Sequence, residues 1–186
     1  PVTNEMTIRI VLALMIMAGW VAELLDVKGA FLHGDFEDGK EVYLKIPEGF
    51  ERHHDPATCV LLLLKTLYGL KQAARAFWNE LLKAFENVGF ARSKADPCLH
   101  WDWTVNGLVL WMSWIDDCSV MGKAEGVKIA KKQMTDQFDC DEVGNVDEHV
   151  GCKLARNFQE RWIKFLQPVL LQSFADEFNL PQEKPS

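Results

Sequence analysis

Residues 111–122 read Trp-Met-Ser-Trp-Ile-Asp-Asp-Cys-Ser-Val-Met-Gly, an adjacent pair of carboxylates set between apolar runs. Runs of this kind, bounded by Gly107 and Gly122, read as a buried β-hairpin with Asp116 and Asp117 at its tight bend. The plain alternative is a polar turn that happens to contain two acids. Against it, an ordinary two-residue hairpin turn uses Gly or Asn to reach positive φ, and the bend has neither. Two neighbouring anions between apolar strands also repel each other unless a cation is near. Paired carboxylates are the hard oxygen ligands that Mg²⁺ prefers.

A metal site that moves phosphoryl groups needs a further carboxylate from elsewhere in the fold. Asp26 is the evident supplier. It closes the apolar run 21–25, which reads as a strand, and Val27-Lys-Gly-Ala-Phe31 follows it. An acid at a strand end, beside a bend that carries Asp-Asp, can hold two metal ions about 3.5–4 Å apart.

A length of 186 residues suits one domain, 1–186, with a real hydrophobic core. The first residue is Pro, so the chain reads as a segment of a longer one. The formal net charge of −7 is the wrong sign for a typical nucleic-acid binder. Between residues 60 and 94, six basic side chains face two acidic ones, a local +4 that leaves −11 for the rest. The five cysteines are odd in number and lack CxxC spacing, so reduced thiols in an intracellular compartment are expected. His53 and His54 read as a solvated loop. The apolar run 10–17 is too short to cross a bilayer, so no membrane partner is expected.

In chain order, Thr3 or Asn4 caps a helix that runs to about Ala18, stops at Gly19 and is expected to be largely buried. The strand Val21–Val27 follows. Residues 34–40 are acidic and turn-like, 42–47 form a short strand ended by Pro47, and 48–58 form a polar loop. Residues 60–64 are a second apolar run. A helix over 73–88 places Phe77, Leu81 and Phe85 on one core-facing stripe, stopped by Gly89. Its start, with free backbone N–H groups beside Lys71 and Arg75, is friendly to anions. A loop then enters a strand at 98–103, which pairs with the first hairpin arm. A helix over 125–138 turns Val127, Ala130, Met134 and Phe138 inward and Lys128, Lys131 and Lys132 to solvent. Residues 139–148 read as an acidic loop, 149–154 and 162–166 as a hairpin, 169–178 as a last helix, and 179–186 as a linker.

Four segments taken together carry a family resemblance. They are Asp26-Val-Lys-Gly-Ala-Phe-Leu-His-Gly34, Leu67-Tyr-Gly-Leu-Lys-Gln-Ala-Ala-Arg-Ala-Phe-Trp78, Ser93-Lys-Ala-Asp-Pro-Cys-Leu99 and Ile115-Asp-Asp117. In this order they resemble the reverse transcriptase domain of copia-type retrotransposon polyproteins, along the whole chain. The resemblance implies an α+β fold of the right-hand polymerase palm type. Its antiparallel sheet would be covered by helices on one face, with the fingers largely missing. It implies RNA-directed DNA synthesis by two-metal nucleotidyl transfer, with two Mg²⁺ ions, or Mn²⁺ in their place.

By that resemblance Asp26, Asp116 and Asp117 are the catalytic residues, and Asp26, Val27 and Asp116 the metal-binding positions. Asp117, next along the strand from Asp116, is expected to point to the other side and help less directly. Phe31 resembles the steric gate that excludes a ribose 2′-hydroxyl; its plain alternative is a core residue. Gln72, with Lys71 and Arg75, resembles the segment beside the incoming nucleotide. Trp114 and Ile115 would lie at the primer–template. Gly151 would join them in a primer grip, its small size allowing close backbone approach. Partners would be a primed RNA or DNA template, dNTPs, and other parts of one polyprotein (fingers, RNase H, integrase). The location would be the cytoplasm or a virus-like particle.

The chain departs from the family in two places within its motifs: Trp114 stands where Tyr is usual, and Ala74 where Pro is usual. Without the Lys and Arg that the family's fingers supply, weak dNTP binding is expected. Alternatives are a catalytically decayed relic that keeps the fold, and a nucleic-acid-binding module without chemistry. A nuclease is opposed by Phe31 and Gln72.

Overall fold

Asn4 accepts a hydrogen bond from the Met6 amide through its side chain and so starts helix α1, Glu5–Ala18; Gly19 ends it at φ 65°. Only one face of α1 is buried, through Ile8, Val11, Leu12, Met15 and Ile16. Met6, Ile10, Leu14 and Met17 stand exposed on the other, so the expectation of a largely buried helix fails. A computed structural model describes residues 2–37, 39–146, 148–149 and 152–179.

After α1 come strand β1 (Val21–Val27), the short helix α2 (Ala30–His33), and the strands β2 (Tyr43–Lys45) and β3 (Val60–Leu62). Helix α3 (Ala73–Asn87) leads to β4 (Ala91–Arg92), β5 (Leu99–Thr104), β6 (Gly107–Trp114) and β7 (Asp117–Gly122). Helix α4 (Ala124–Thr135) is followed by β8 (Cys140–Asn145), β9 (Glu148–His149), β10 (Cys152–Asn157), β11 (Trp162–Leu166) and helix α5 (Pro168–Glu177). A six-stranded sheet in the order β4-β5-β6-β7-β1-β8 is antiparallel at every pairing. β9 to β11 form a second sheet, and β2 with β3 a two-stranded ribbon.

Alternation along the central strands splits the apolar residues between two cores. Val109, Trp111, Cys118 and Val120 pack with Phe77, Leu81 and Phe85 of α3 and Val127, Ala130 and Met134 of α4. Leu110, Met112, Met121 and Ala22 pack with the buried face of α1, together with Leu154. Helices therefore cover both faces of the large sheet, α3 and α4 on one and α1 on the other, where one covered face was expected. The reason is that β6 is apolar on both sides, and each side needs a partner.

Residues 139–148, expected as a loop, contain β8, which extends the sheet beyond β1. Its side chains are mostly exposed and show no apolar alternation, so backbone pairing at an edge formed it, without a side-chain signature. Lys131, expected in solvent, is mostly buried and bridges Glu23 of β1 and Glu142 of β8. α5 buries none of its residues; Leu170, Phe174 and Phe178 are all exposed. Of the linker 179–186, only Asn179 falls within the described residues. No helix among the described residues is long and apolar enough to cross a membrane. All five cysteines are free thiols.

Candidate active site

β1 and the β6–β7 hairpin bring three acids together. β1 runs antiparallel to β7 with Asp26 directly opposite Asp117 and Ala22 opposite Met121. Directly opposed residues share a face, so Asp26 and Asp117 project to the same side of the sheet, the side of α1. Asp117 was expected to point to the other side of the strand, and the register sets it on the face of Asp26. The bend also lies one residue earlier than expected: Trp114 pairs with Asp117, leaving Ile115 and Asp116 as the two turn residues. Ile115 takes φ 59°, the left-handed conformation that the lack of Gly or Asn seemed to exclude. For a β-branched residue this is a strained state, held by the pairing on either side. A backbone hydrogen bond from the Val27 amide to the Asp116 carbonyl, 3.2 Å, ties the turn to the end of β1.

These carboxylates are crowded. Partial burial raises the Asp26 pKa above the usual carboxylate value, and the charges of Asp116 and Asp141 raise it further. Burial is again the main cause for Asp117, followed by the charges of Asp116 and Asp26. Asp141 is a participant that sequence reasoning missed. β8 sets it opposite Asp26 on the other side of β1, so Asp117, Asp26 and Asp141 stand in a row across three strands. No motif marks it; only the pairing of an acidic edge strand does. Lys28 is held by Asp141 at 2.9 Å and by Asp139 at 3.3 Å, and these acids raise its pKa. It is a paired cation, so any contact it makes with a phosphate needs those ion pairs to open.

An aromatic wall adjoins the acids. Phe31 lies in α2, whose entry at Gly29 has φ 57°. Its carbonyl accepts from the Thr66 hydroxyl, and the Thr66 amide donates to the Gly34 carbonyl at 3.0 Å. Those two bonds fix the chain that leads to Tyr68. The Tyr68 ring meets Phe31 edge-on, with centroids 4.3 Å apart. Its hydroxyl donates to Asp116 Oδ2 at 3.2 Å. Desolvation of the hydroxyl where it meets Asp116, then the Asp116 charge itself, raises the Tyr68 pKa, so the phenol of this largely exposed side chain stays protonated and acts as a donor. Tyr68 was also missed; the signal was its place in the Leu-Tyr-Gly-Leu-Lys-Gln motif, one residue before a glycine at φ 93°.

The remaining expected residues are scattered by comparison. Gln72 is the N-cap residue of α3, half-buried and making no side-chain capping bond. Lys71 and Arg75 are exposed. Among the described residues no hydrogen bond or ion pair joins these three to the acids. Trp114 is half-buried, packs against the α1 core and bridges Val2 through the backbone. It lines a cavity of about 710 Å³ with Thr3, Asn4, Arg9, Asp96 and Phe165. Gly151 lies outside the described residues.

No group of three His, Cys, Asp or Glu side chains among the described residues is drawn together as a metal cluster. The donor set still fits a hard divalent cation: the acids at the hairpin and strand end offer only oxygen ligands, and their mutual repulsion is what a cation would relieve.

The description reverse transcriptase (RNA-dependent DNA polymerase) belongs to a family model that matches residues 1–186. The chain belongs to this reverse transcriptase family. It is 31% identical over 190 residues to the retrovirus-related Pol polyprotein from transposon TNT 1-94 of Nicotiana tabacum. That match takes in 100% of the chain and 14% of the relative. The Pol polyprotein from transposon RE1 of Arabidopsis thaliana is 37% identical over 122 residues, 66% of the chain and 8% of the relative. The putative transposon Ty5-1 protein of Saccharomyces cerevisiae is 28% identical over 132 residues, 70% of the chain and 42% of the relative. This reverse transcriptase segment thus spans less than half the length of each of these relatives. No solved structure matches it.

Proposed function

We propose that this reverse transcriptase segment is the palm of an RNA-directed DNA polymerase from a copia-type retrotransposon polyprotein. The observation that carries the reading is the register of Asp26 opposite Asp117, with Asp116 tied back to β1 through the Val27 amide. Asp26 and Asp116, with the Val27 backbone beside them, would hold two Mg²⁺ ions, for which Mn²⁺ could substitute. Bound there, the ions supply Lewis acidity toward the primer 3′-hydroxyl and charge neutralisation at the triphosphate and the leaving pyrophosphate. Asp117 sets the charge next to Asp26. Phe31 forms the floor of the sugar pocket and disfavours a 2′-hydroxyl. Lys71, Gln72 and Arg75, at the start of α3, line the approach of the nucleotide. Trp114 and Ile115 face the primer–template, and the primer-grip role of Gly151 rests on the family resemblance alone.

The partners in this reading are a primed RNA or DNA template, dNTPs, and fingers, RNase H and integrase parts of the same polyprotein. The place of action is the cytoplasm or a virus-like particle. A decayed relic is the second reading, favoured by Trp114 in the position of the family's usual Tyr. Primer extension on an RNA template with dNTPs and Mg²⁺, using a protein that includes the upstream polyprotein segment, separates the two. Extension that disappears in Asp116→Asn supports the polymerase. Extension that returns only in Trp114→Tyr supports the relic, and silence in all three folded proteins overturns the enzyme reading.

A further inference from the structure

Tyr68 touches both halves of the site. Its hydroxyl is 3.2 Å from Asp116 Oδ2, and its ring packs edge-on against Phe31 with centroids 4.3 Å apart. A side chain that is 66% exposed gains little from burial, so this placement comes from those two contacts and from the backbone that leads to it. That backbone is fixed two residues earlier, where Thr66 bonds to the carbonyls of Phe31 and Gly34. Asp116 sits in a two-residue turn, near the like charges of Asp26 and Asp117, and its carboxylate has no other hydrogen-bond donor among the described residues.

We propose that Tyr68 is a positioning residue for Asp116: its hydroxyl sets the carboxylate for a divalent cation, while its ring links that carboxylate to the nucleotide-pocket residue Phe31. This rests on the reading that Asp116 holds a divalent cation. A carboxylate has about four acceptor sites, so one neutral donor at Oδ2 fixes the rotamer and leaves Oδ1 and a further lone pair for the ion. Hydrogen bonds to ligating carboxylates orient them, and their removal typically weakens metal binding about 10- to 100-fold. The same link makes α2 and the turn before α3 respond to what Asp116 binds.

The test is a Mn²⁺ titration of this chain, followed by the electron paramagnetic resonance signal of free Mn²⁺, for the wild type, Tyr68→Phe and Asp116→Asn. Tyr68→Phe keeps the ring on Phe31 and removes only an exposed hydroxyl, so its unfolding midpoint without metal stays at the wild-type value. The expected result is binding lost in Asp116→Asn and weakened about tenfold in Tyr68→Phe. Binding in Tyr68→Phe equal to or tighter than wild type, with Asp116→Asn still defective, overturns the role of Tyr68 and leaves the metal reading standing. Binding that Asp116→Asn does not alter overturns the metal reading, and the role of Tyr68 with it.

Discussion

The Val27 amide donates to the Asp116 carbonyl at 3.2 Å, so the strand that ends in Asp26 and the turn that carries Asp116 are joined through the backbone. That bond does not depend on the charge state of either carboxylate. The scaffold can therefore hold like charges close together without any ion present, at a cost in stability.

The cost can be measured at Asp26. Its raised pKa, from burial and from the charges of Asp116 and Asp141, means that the ionised form is disfavoured in the fold. Asp26→Asn is expected to raise the stability of the metal-free chain by about 0.2–1 kcal/mol, the range for a like-charge cross-strand pair. Saturating Mg²⁺ should reverse the order, because a ligand stabilises only the fold that binds it. Thermal unfolding with and without Mg²⁺ checks both halves.

Ile115 stores strain. A β-branched residue at φ 59° is disfavoured by about 1–2 kcal/mol, whereas Asn tolerates that conformation. Ile115→Asn is expected to stabilise the chain by up to about 1 kcal/mol in urea unfolding, part of the gain being offset by lost apolar contact. No change, or a loss, would mean that the pairing of Trp114 with Asp117 relieves the turn entirely.

Gly34 is constrained by space. A Cβ there would lie 2.6 Å from Thr66 Oγ1, 2.8 Å from Ala76 Cβ and 2.9 Å from the Phe77 backbone nitrogen. The last belongs to α3 and cannot yield, so Gly34→Ala should cost about 1–3 kcal/mol. It should also disturb the Thr66 bonds that set Phe31 and Tyr68. Unfolding stability and the fluorescence polarisation of a labelled dNTP are expected to fall together.

His100 makes the fold sensitive to acid. It is 1% exposed, stacked on Phe85 at 4.3 Å, and neither ring nitrogen has a hydrogen-bond partner among the described residues. Burial, helped by the Arg92 charge and opposed by Asp96, lowers its pKa from 6.5 to about 4. The unfolded chain then takes up a proton that the folded chain refuses. The stability present above pH 6.5 is lost progressively as pH falls toward about 4, in total by about 3 kcal/mol. His100→Phe should remove that part of the pH dependence when urea midpoints at pH 7.5 and 4.5 are compared with wild type.

Much of the frame is legible in single residues. Asn4 starts α1 through its side-chain cap and Gly19 ends it through a left-handed backbone that lacks a Cβ, and Val21–Val27 forms the strand its apolar run announces. The Phe77, Leu81 and Phe85 stripe is buried as its spacing requires. The acid motif marks Asp26 and the hairpin because charge set among apolar residues is costly and therefore conspicuous. Asp141 and Tyr68 are different. Asp141 lies in an exposed acidic run with no periodicity or motif; Tyr68 lies in a motif, but nothing local says which side chain it reaches.

The sequence by itself determined the longer helices and the apolar strands, that Asp26 and the Asp116–Asp117 pair fall at a strand end and a hairpin, and to which family the chain belongs, because propensity, patterning and motif are local properties. Only the tertiary structure decided that Asp117 faces Asp26, that β8 adds Asp141 beside them, that helices cover both faces of the sheet, and that Tyr68 reaches Asp116. Each of these depends on strand register or on the approach of distant segments. A one-residue shift in pairing would send every side chain of a strand to the other face, and no single segment encodes the partner that prevents it.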